Sequence, residues 1–334
     1  MRRFERYWYS INVLAILLWP LSLLYCAAVT LRRQAYRWGV LRSRHVNVPV
    51  IIVGNITVGG SGKTPLVARL ATVLQEAGYR PGIISRGYRG QSSAWPCRVE
   101  PESDPLQVGD EPVLLARRSR CPVVVDPDRV AATHTLLKDY DCDVILADDG
   151  LQHYRLARNI EIAVIDGARQ FGNGACLPAG PLREPAGRLR TVDFVVSLGT
   201  AREGQYRMTL VGEHAINLSD PYVSCSLEGF RNGLVHAVAG IGDPSRFFDF
   251  LRERGIRTLN HAFPDHYRFT TADLAFKDEL SVLMTEKDAV KCQRLVHDDR
   301  FWYIPVEAQI DPALEQRVLK RLAHHSKAGV KTVK

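Results

Sequence analysis

Short runs of consecutive apolar residues, many of them β-branched, recur along the chain with polar or amphipathic segments between them. Continuous runs of this length are typical of strands that are buried on both faces of a parallel sheet. Because the runs alternate with helical segments, the pattern predicts a doubly wound α/β domain. The predicted strands are 49–54, 80–85, 121–125, 143–147, 161–165 and 192–198.

Two stretches of this first domain lack the periodicity of a helix or a strand. Residues 90–110 are polar and contain three prolines, which predicts one long loop between elements. Residues 167–190 are rich in glycine and proline, so we expect an irregular segment that lines a site.

A second α/β unit is expected from about residue 205, because apolar and amphipathic runs resume there. Strands are predicted at 206–211, 234–239, 281–284 and 301–306, and helices at 245–254, from Thr285 onwards and at 312–325. The predicted organisation is an N-terminal helix with a basic flank (1–44), a first domain (45–204), a second domain (205–306) and a C-terminal helix with a basic tail (307–334).

The first 44 residues carry most of the net charge. They contain eight arginines and one glutamate, a net charge of +7, whereas the whole 334-residue chain has +8. The rest of the chain is therefore nearly neutral. This distribution argues against a broad nucleic-acid-binding face and favours an anionic membrane surface as a partner.

An uncharged segment separates Arg6 from Arg32, and its central part, residues 13–29, is almost wholly apolar. Three interpretations fit: a cleaved signal peptide, a core helix of a soluble domain, or a retained membrane helix that spans the bilayer or lies in its interface. We favour the retained helix. The larger arginine cluster follows it, which predicts that the next domain is on the cytoplasmic side.

The seven cysteines are scattered and form no C-x-x-C pair. An odd number in a long chain argues against a disulfide framework and against a zinc site, and it fits a reducing compartment.

The most specific motif follows the first predicted strand. A glycine-rich turn ends on Gly62-Lys63-Thr64, and an amphipathic helix is predicted from Pro65 to Ala77. Backbone N–H groups in such a turn bind phosphates, the lysine reaches the outer phosphates, and the hydroxyl ligates Mg²⁺. The usual G-x-x-x-x-G-K-[ST] pattern has glycine where this chain has Thr57. The predicted nucleotide site consists of Thr57, Val58, Gly59, Gly60, Ser61, Gly62, Lys63 and Thr64.

Acidic residues follow two of the predicted strands. Asp148 and Asp149 follow the strand at 143–147, where a carboxylate near a phosphate-binding loop is the usual Mg²⁺ partner, although a solvated turn is the alternative. Asp166 likewise follows the predicted strand at 161–165, and we expect a structural role for it.

His153 fits either a phosphate contact or a structural role. Asp110 taken alone fits an N-cap for a helix at 112–118.

Together these motifs resemble those of the tetraacyldisaccharide 4′-kinases, the lipid A kinases of Gram-negative bacteria. The resemblance extends over nearly the full chain, and Thr57 in place of glycine is itself typical of that family. The segments that carry the resemblance are Gly54–Pro65, Ser85–Tyr88, Gly109–Pro112, Asp148–His153, Pro178–Glu184, Phe263–His266 and Thr285–Ala289.

The resemblance implies ATP- and Mg²⁺-dependent phosphorylation of the 4′-hydroxyl of an acylated glucosamine disaccharide 1-phosphate, which gives lipid IVA in lipopolysaccharide biosynthesis. It implies two α/β/α domains, the first like a P-loop NTPase, joined by a two-stranded β linker at 206–211 and 301–306, with an N-terminal membrane-associated helix. It also implies the cytoplasmic face of a bacterial inner membrane. We expect a monomer with no nucleic-acid partner.

The family's functional residues fall on matching positions of this chain. The resemblance implies a catalytic dyad of Asp110 and His266, with Lys63 beside the phosphates. The implied metal site consists of Thr64, Asp148 and Asp149. Substrate contacts are expected from Asn55, Arg86, Glu111, His153 and Glu184.

Two other classes of function share features of this sequence. A membrane-associated P-loop NTPase that acts as a switch would share the loop, but guanine specificity normally brings N-K-x-D, which Thr285–Asp288 does not match. A membrane-tethered binding module would use the same fold without chemistry.

Overall fold

The computed structural model describes residues 5–329. This part of the chain divides into two compact units, one formed by residues 5–210 with 308–329 and a smaller one formed by residues 211–307. Each unit has its own sheet with helices packed on it, which confirms the predicted α/β class.

The larger unit is built on a nine-stranded sheet. Its strands are β1 (Val50–Gly54), β2 (Pro81–Ser85), β3 (Cys97–Val99), β4 (Val123–Val125), β5 (Val144–Asp148), β6 (Ile160–Asp166), β7 (Phe194–Leu198), β8 (Tyr206–Val211) and β15 (Glu307–Ile310). They lie in the order β15-β8-β7-β6-β1-β5-β2-β4-β3. The strands from β8 to β4 are parallel, so the carboxyl ends of β1, β5 and β2 lie side by side at one edge.

Helices cover both faces of this sheet. They are α1 (Val13–Arg37), α2 (Lys63–Glu76), α3 (Pro105–Val108), α4 (Asp110–Ser119), α5 (Arg129–Asp139) and α8 (Pro312–Gly329). Val130 and Leu136 of α5 share a core with Val50 and Ile52 of β1. Because side chains alternate along a strand, α2, which contacts β1, β2 and β5, covers the opposite face together with α4.

The prediction of one long loop at 90–110 was wrong in part. Strand β3 pairs antiparallel with β4, and the short helix α3 follows it. Asp104 caps α3, because its Oδ1 accepts a hydrogen bond from the Leu106 amide at 2.9 Å. The strand was missed because only Val99 of its three residues is buried, so no apolar run marks it.

The smaller unit has a six-stranded sheet in the order β10-β9-β14-β13-β11-β12. Its elements are β9 (His214–Asn217), β10 (Ser224–Ser226), β11 (Leu234–Ala239), α6 (Pro244–Glu253), β12 (Arg257–Ala262), β13 (Val282–Thr285), α7 (Glu286–Cys292) and β14 (Phe301–Ile304). β11 pairs parallel with both β12 and β13, and β13 pairs parallel with β14. Separate apolar cores lie on the two faces.

One expected linker strand is corrected by the pairing. The segment predicted at 301–306 is β14, which lies between β13 and β9 inside the six-stranded sheet. The strand that lies beside β8 is instead β15, Glu307–Ile310. The apolar sequence at 301–304 reflects burial in a sheet interior, whereas β15 is half exposed and therefore polar in sequence.

Helix α1 packs on the larger unit through one face only. Asn12 caps its start by accepting from the Ala15 amide at 3.0 Å. In the middle of the helix, the Ser22 hydroxyl donates to the Cys176 carbonyl at 2.6 Å, and the Tyr25 hydroxyl donates to the Arg183 carbonyl at 3.2 Å. The other face leaves large apolar side chains exposed: Ile16, Leu17, Trp19, Leu23 and Leu24.

Candidate active site

The loop between β1 and α2 has the geometry of a phosphate-binding turn. Gly59 has a φ of 107° and Gly62 has a φ of 82°, in the left-handed region that favours glycine. The Asn55 side-chain amide donates to the Gly59 carbonyl at 3.3 Å and to the Ser61 hydroxyl at 3.2 Å. Because α2 begins at Lys63, the turn ends on a helix N-terminus, whose free amides attract anions.

The segment 178–184 supports this loop from behind. The Val58 amide donates to the Pro181 carbonyl at 2.8 Å, and the Arg183 amide donates to the Ile56 carbonyl at 2.7 Å. The backbone of the turn is thereby held on one side, while Gly59 and Gly60 remain exposed. A ligand can therefore approach the loop from the exposed side.

The two aspartates that end β5 face different partners. The Thr64 hydroxyl lies 3.4 Å from Oδ2 of the buried Asp148. Asp149 has a φ of 51°, and its carboxylate pairs with Lys63 at 3.5 Å and with Arg183 at 3.0 Å. The structure thus brings the loop lysine, the loop hydroxyl and both carboxylates into one cluster.

The surroundings shift the pKa values of these two carboxylates in opposite directions. Burial, together with the negative charge of Glu111, raises the pKa of Asp148 to about 7. Burial also acts to raise the pKa of Asp149, but the charges of Lys63 and Arg183 outweigh it and hold that pKa well below its usual range. Asp149 is therefore a permanent anion that orders two cations, whereas Asp148 gains its full charge only with help from a further cation.

Two arginines of this cluster were not singled out from the sequence. Arg183 belongs to the motif Pro178–Glu184, but no role was predicted for it. In the structure it contacts both oxygens of Asp149. Arg129 is 2% exposed and donates to the Asp126 carbonyl at 2.9 Å and to the Asp148 carbonyl at 3.4 Å. Burial lowers the pKa of Arg129 to about 10, so it stays protonated at neutral pH. The position of Arg129 in Pro127-Asp128-Arg129, shortly after β4, is the sequence signal that could have identified it.

The expectation that Asp110 caps a helix is corrected by the structure. Helix α4 begins at Asp110 itself, and the N-cap is Gly109, whose φ is 94°. The Asp110 carboxylate accepts from the Glu111 amide at 3.0 Å and is 5% exposed. An acid in a first helical turn is favoured by the helix dipole.

The residues expected to contact substrate lie in different surroundings. Arg86 is exposed directly after β2, at the same edge as the loop. Burial and the positive charges of Arg129 and Arg86 lower the pKa of His153 to about 4, so this histidine is neutral. Glu184 is buried, accepts from the Tyr154 hydroxyl at 2.7 Å and pairs with Arg188 at 3.2 Å.

A cavity of about 250 Å³ opens beside this cluster, between α1 and the start of α5. Cationic side chains from three parts of the larger unit line it, together with His153 and Asp128: Arg32, Arg129 and Arg155. The lining carries more positive than negative charge and suits an anionic group.

His266 lies in the smaller unit, in the loop after β12. Its φ is 57°, and its Nε2 lies 3.6 Å from Asp265 Oδ2 and 3.4 Å from the Lys287 ammonium group. Lys287 was not singled out from the sequence. Its helix begins at the predicted position, Thr285-Glu286.

Comparison with known proteins assigns the chain to a family. Residues 14–323 match the family model for LpxK, tetraacyldisaccharide-1-P 4′-kinase. Tetraacyldisaccharide 4′-kinase of Nitrosococcus oceani is 52% identical over 322 residues, which cover 96% of this chain and 95% of that protein. The enzyme of the same name from Alkalilimnicola ehrlichii is 51% identical over 310 residues and 91% of each chain.

A solved structure agrees with these sequence relatives. LpxK from Aquifex aeolicus, crystallised in complex with ATP, superposes with a TM-score of 0.78 at 29% identity and covers 93% of this chain and 100% of its own. From its sequence, its fold and the loop described above, this chain belongs to the tetraacyldisaccharide-1-P 4′-kinase family.

Proposed function

We propose that this protein transfers the γ-phosphoryl group of ATP to the 4′-hydroxyl of a tetraacyldisaccharide 1-phosphate and so produces lipid IVA. The observation that carries the proposal is the direct contact of the β1–α2 loop with the acidic pair, Thr64 on Asp148 and Lys63 on Asp149. The relatives' shared name supports the acceptor, and it does not favour the alternative of a switch NTPase.

The loop of residues 57–64 would hold the triphosphate. Its amides and the N-terminus of α2 present donors, and Lys63 adds a full positive charge. Phosphoryl transfer depends mainly on such positioning and charge neutralisation. Lys63 would turn from Asp149 to the phosphates, while Arg183 would keep Asp149 in place.

The residues present fit a magnesium ion. Asp148 Oδ2 faces the Thr64 hydroxyl, and its Oδ1 is buried and accepts no hydrogen bond from residues 5–329. No group of three His, Cys, Asp or Glu side chains suited to a metal occurs in the described chain, which agrees with an ion held by one or two protein oxygens, phosphates and water. When bound, magnesium supplies positive charge to the phosphate oxygens. We assign Thr64 and Asp148 as its direct contacts, with Asp149 behind them.

The acceptor's 1-phosphate has a candidate site in the basic cavity. Arg32 comes from α1, the buried Arg129 from the start of α5 and the exposed Arg155 from the segment between β5 and β6, so a phosphate there would join the membrane helix to the active-site cluster. Phosphate recognition by several arginines is strong because each contact is charge-assisted. Arg86, Glu111 and His153 lie at the same sheet edge and would contact the sugars.

Asp110 would accept the proton of the 4′-hydroxyl, and His266 would act as its partner. Asp110 is buried and fixed at the start of α4. A carboxylate that receives this proton makes the oxygen a better nucleophile as the new P–O bond forms and ADP leaves. In this proposal residues 45–204 form the phosphoryl-transfer domain, and residues 205–306 form a second α/β domain that contains His266.

The N-terminal helix would hold a monomeric enzyme at the cytoplasmic face of the inner membrane. By length and composition, α1 is the one helix in residues 5–329 that is long and apolar enough to cross a bilayer. Its middle, at Ser22 and Tyr25, is hydrogen-bonded to the core, which a spanning segment could not maintain. We therefore propose that α1 lies in the interface, with its apolar face in the lipid.

The test is incubation of the purified full chain with ATP, Mg²⁺ and a tetraacyldisaccharide 1-phosphate, followed by mass spectrometry of the lipid. One added phosphoryl group is expected, and an acceptor whose 4′-hydroxyl is methylated should gain none. ATP hydrolysis without any lipid phosphorylation would instead support the switch NTPase.

A further inference from the structure

In the smaller unit, the loop after β12 and the first turn of α7 bring an ammonium, a carboxylate and an imidazole together. The Lys287 ammonium lies 3.3 Å from Asp265 Oδ1 and 3.4 Å from His266 Nε2. Asp265 Oδ2 lies 3.6 Å from the same ring nitrogen. The three groups follow the carboxyl ends of the parallel strands β12 and β13, the edge at which α/β sheets bind ligands.

The fold fixes the position of Lys287. It is the second residue of α7, whose start is capped by Thr285, because the Thr285 hydroxyl accepts from the Asp288 amide at 3.2 Å. The buried Asp288 carboxylate accepts from the Thr285 hydroxyl at 2.6 Å and from the Gly240 amide at 2.8 Å. The end of β11, the end of β13 and the start of α7 are thus tied to one buried group.

His266 is held in an uncommon backbone conformation. Its φ of 57° lies in the left-handed region, which few residues other than glycine adopt. The His266 side chain is 11% exposed and that of Lys287 is 17% exposed, so their contact is not a mobile surface pair.

The contact with Lys287 favours one of the two tautomers of His266. An ammonium group can only donate, so a neutral His266 must accept at Nε2. The single ring proton of this tautomer is then on Nδ1. The Asp265 carboxylate lies 3.3 Å from the Lys287 ammonium group and balances its positive charge.

We propose that Lys287 is a positioning residue that sets the tautomer of His266, with Asp265 as the counter-ion that holds Lys287 in place. The inference deepens the function proposed above and rests on it for its role in turnover. In that reaction Lys287 acts through His266, because its contact with Nε2 places the ring proton on Nδ1.

The first test reads the tautomer without any need for activity. In the full chain with ¹⁵N-labelled histidine, two-bond ¹H–¹⁵N spectra distinguish the protonated ring nitrogen from the unprotonated one, and His266→Gln assigns the signal. We expect Nδ1 to be protonated in the natural protein and Nε2 in Lys287→Met. An Nε2-protonated His266 in the natural protein, or the same tautomer in both proteins, would overturn the proposal.

The second test separates positioning from a structural role. Lys287→Met should lower kcat on the order of 10-fold or more, with the KM for ATP within about twofold, and Lys287→Arg should recover part of kcat because it can still donate. Lys277→Met removes the same charge from an exposed site of the same unit and should change neither readout. Undiminished kcat in a folded Lys287→Met protein, checked by its circular-dichroism melt, would also overturn the proposal.

The two proposals fail in distinguishable ways. If the natural protein phosphorylates no disaccharide, the proposed function fails, and the tautomer spectra still decide the role of Lys287. If phosphorylation is normal and the tautomer does not depend on Lys287, only the inference about Lys287 fails.

Discussion

The hydroxyl oxygen of Thr64 lies 3.4 Å from Oδ2 of Asp148. This separation is longer than the roughly 2.5–3.0 Å of an ordinary O–H···O hydrogen bond. The contact therefore satisfies the buried carboxylate poorly, and its other oxygen accepts no hydrogen bond from the described residues. The folded chain holds Asp148 in a place where the charged form is costly until a cation arrives.

Asp148→Asn should therefore stabilise the protein while it abolishes activity. The pKa of Asp148 is raised to about 7, above the usual value of about 3.9, so the folded state binds a proton that the unfolded state releases between these pH values. Stability from this group is full below about pH 4 and is lost as the pH rises through 7. Without nucleotide or metal, we expect the variant to gain on the order of 1–3 kcal/mol at pH 8 and nothing at pH 4. Urea unfolding at both pH values measures this, and equal stability at pH 8 would contradict it.

Lys63→Ala should lower kcat by on the order of 10²-fold or more, because it removes a positive charge from the transferring phosphoryl group. The fold should survive, since Asp149 keeps its contact with Arg183. Initial-rate kinetics with ATP and acceptor measure the loss. Lys138→Ala, near the end of α5, is the matched control and should leave turnover unchanged. Near-normal turnover in Lys63→Ala would remove this lysine from the mechanism.

Asp110→Asn should lower kcat by roughly 10²–10⁴-fold, with the KM for ATP changed by less than about twofold, because a base acts in the transition state and not in ATP binding. Asp141→Asn makes the same change at a side chain that is 83% exposed and should have no effect. An Asp110→Asn enzyme with unchanged kcat and a raised KM would make Asp110 a binding residue instead.

The strands in the middle of the larger sheet were predicted from sequence to within about two residues. Val50–Gly54 and Val144–Asp148 are buried along their whole length, so burial leaves an unbroken apolar run in the sequence. The missed strands lie at or near sheet edges. Arg257–Ala262 has no buried residue at all, and its sequence RTLNHA carries no strand signal.

The active-site loop was predictable because its chemistry is local in sequence, whereas its supports were not. Asn55, Lys63 and Thr64 lie within ten residues of one another. Arg129 reaches the same cluster from the start of α5, and Arg183 reaches it from the segment behind the loop. Their roles depend on tertiary contacts that no spacing in the chain encodes.

Gly54→Ala should destabilise the larger unit, since a Cβ at Gly54 would lie 2.8 Å from Leu151 Cγ and 2.9 Å from the Leu151 amide nitrogen. Separating two backbones that pack this closely is expected to cost about 1–3 kcal/mol or more. Gly60→Ala is the matched control within the same loop: its Cβ would have no neighbour within 4 Å, and its φ lies outside the left-handed region. Urea unfolding should show a loss for Gly54→Ala and less than about 0.5 kcal/mol for Gly60→Ala. Equal stability of the two variants would show that β1 and the segment after β5 can move apart without a cost in the free energy of unfolding.

Leu17→Gln together with Leu24→Gln should release the protein from membranes without loss of the fold. The two side chains are 72% and 69% exposed on the free face of α1, opposite the hydrogen bonds of Ser22 and Tyr25, so their replacement removes lipid contacts and leaves the packing on the core intact. Each leucine that leaves the lipid costs roughly 1.5–3 kcal/mol, so binding to anionic phospholipid vesicles should fall by on the order of 10²-fold or more.

The Leu17→Met and Leu24→Met double variant keeps an apolar surface and should sediment with vesicles like the natural protein. Because the lost contribution is apolar, the difference between the two variants should persist in high salt, which screens only the arginines. Sedimentation of the glutamine variant equal to that of the methionine variant would show that charge alone, and not the apolar face of α1, holds the protein at the membrane.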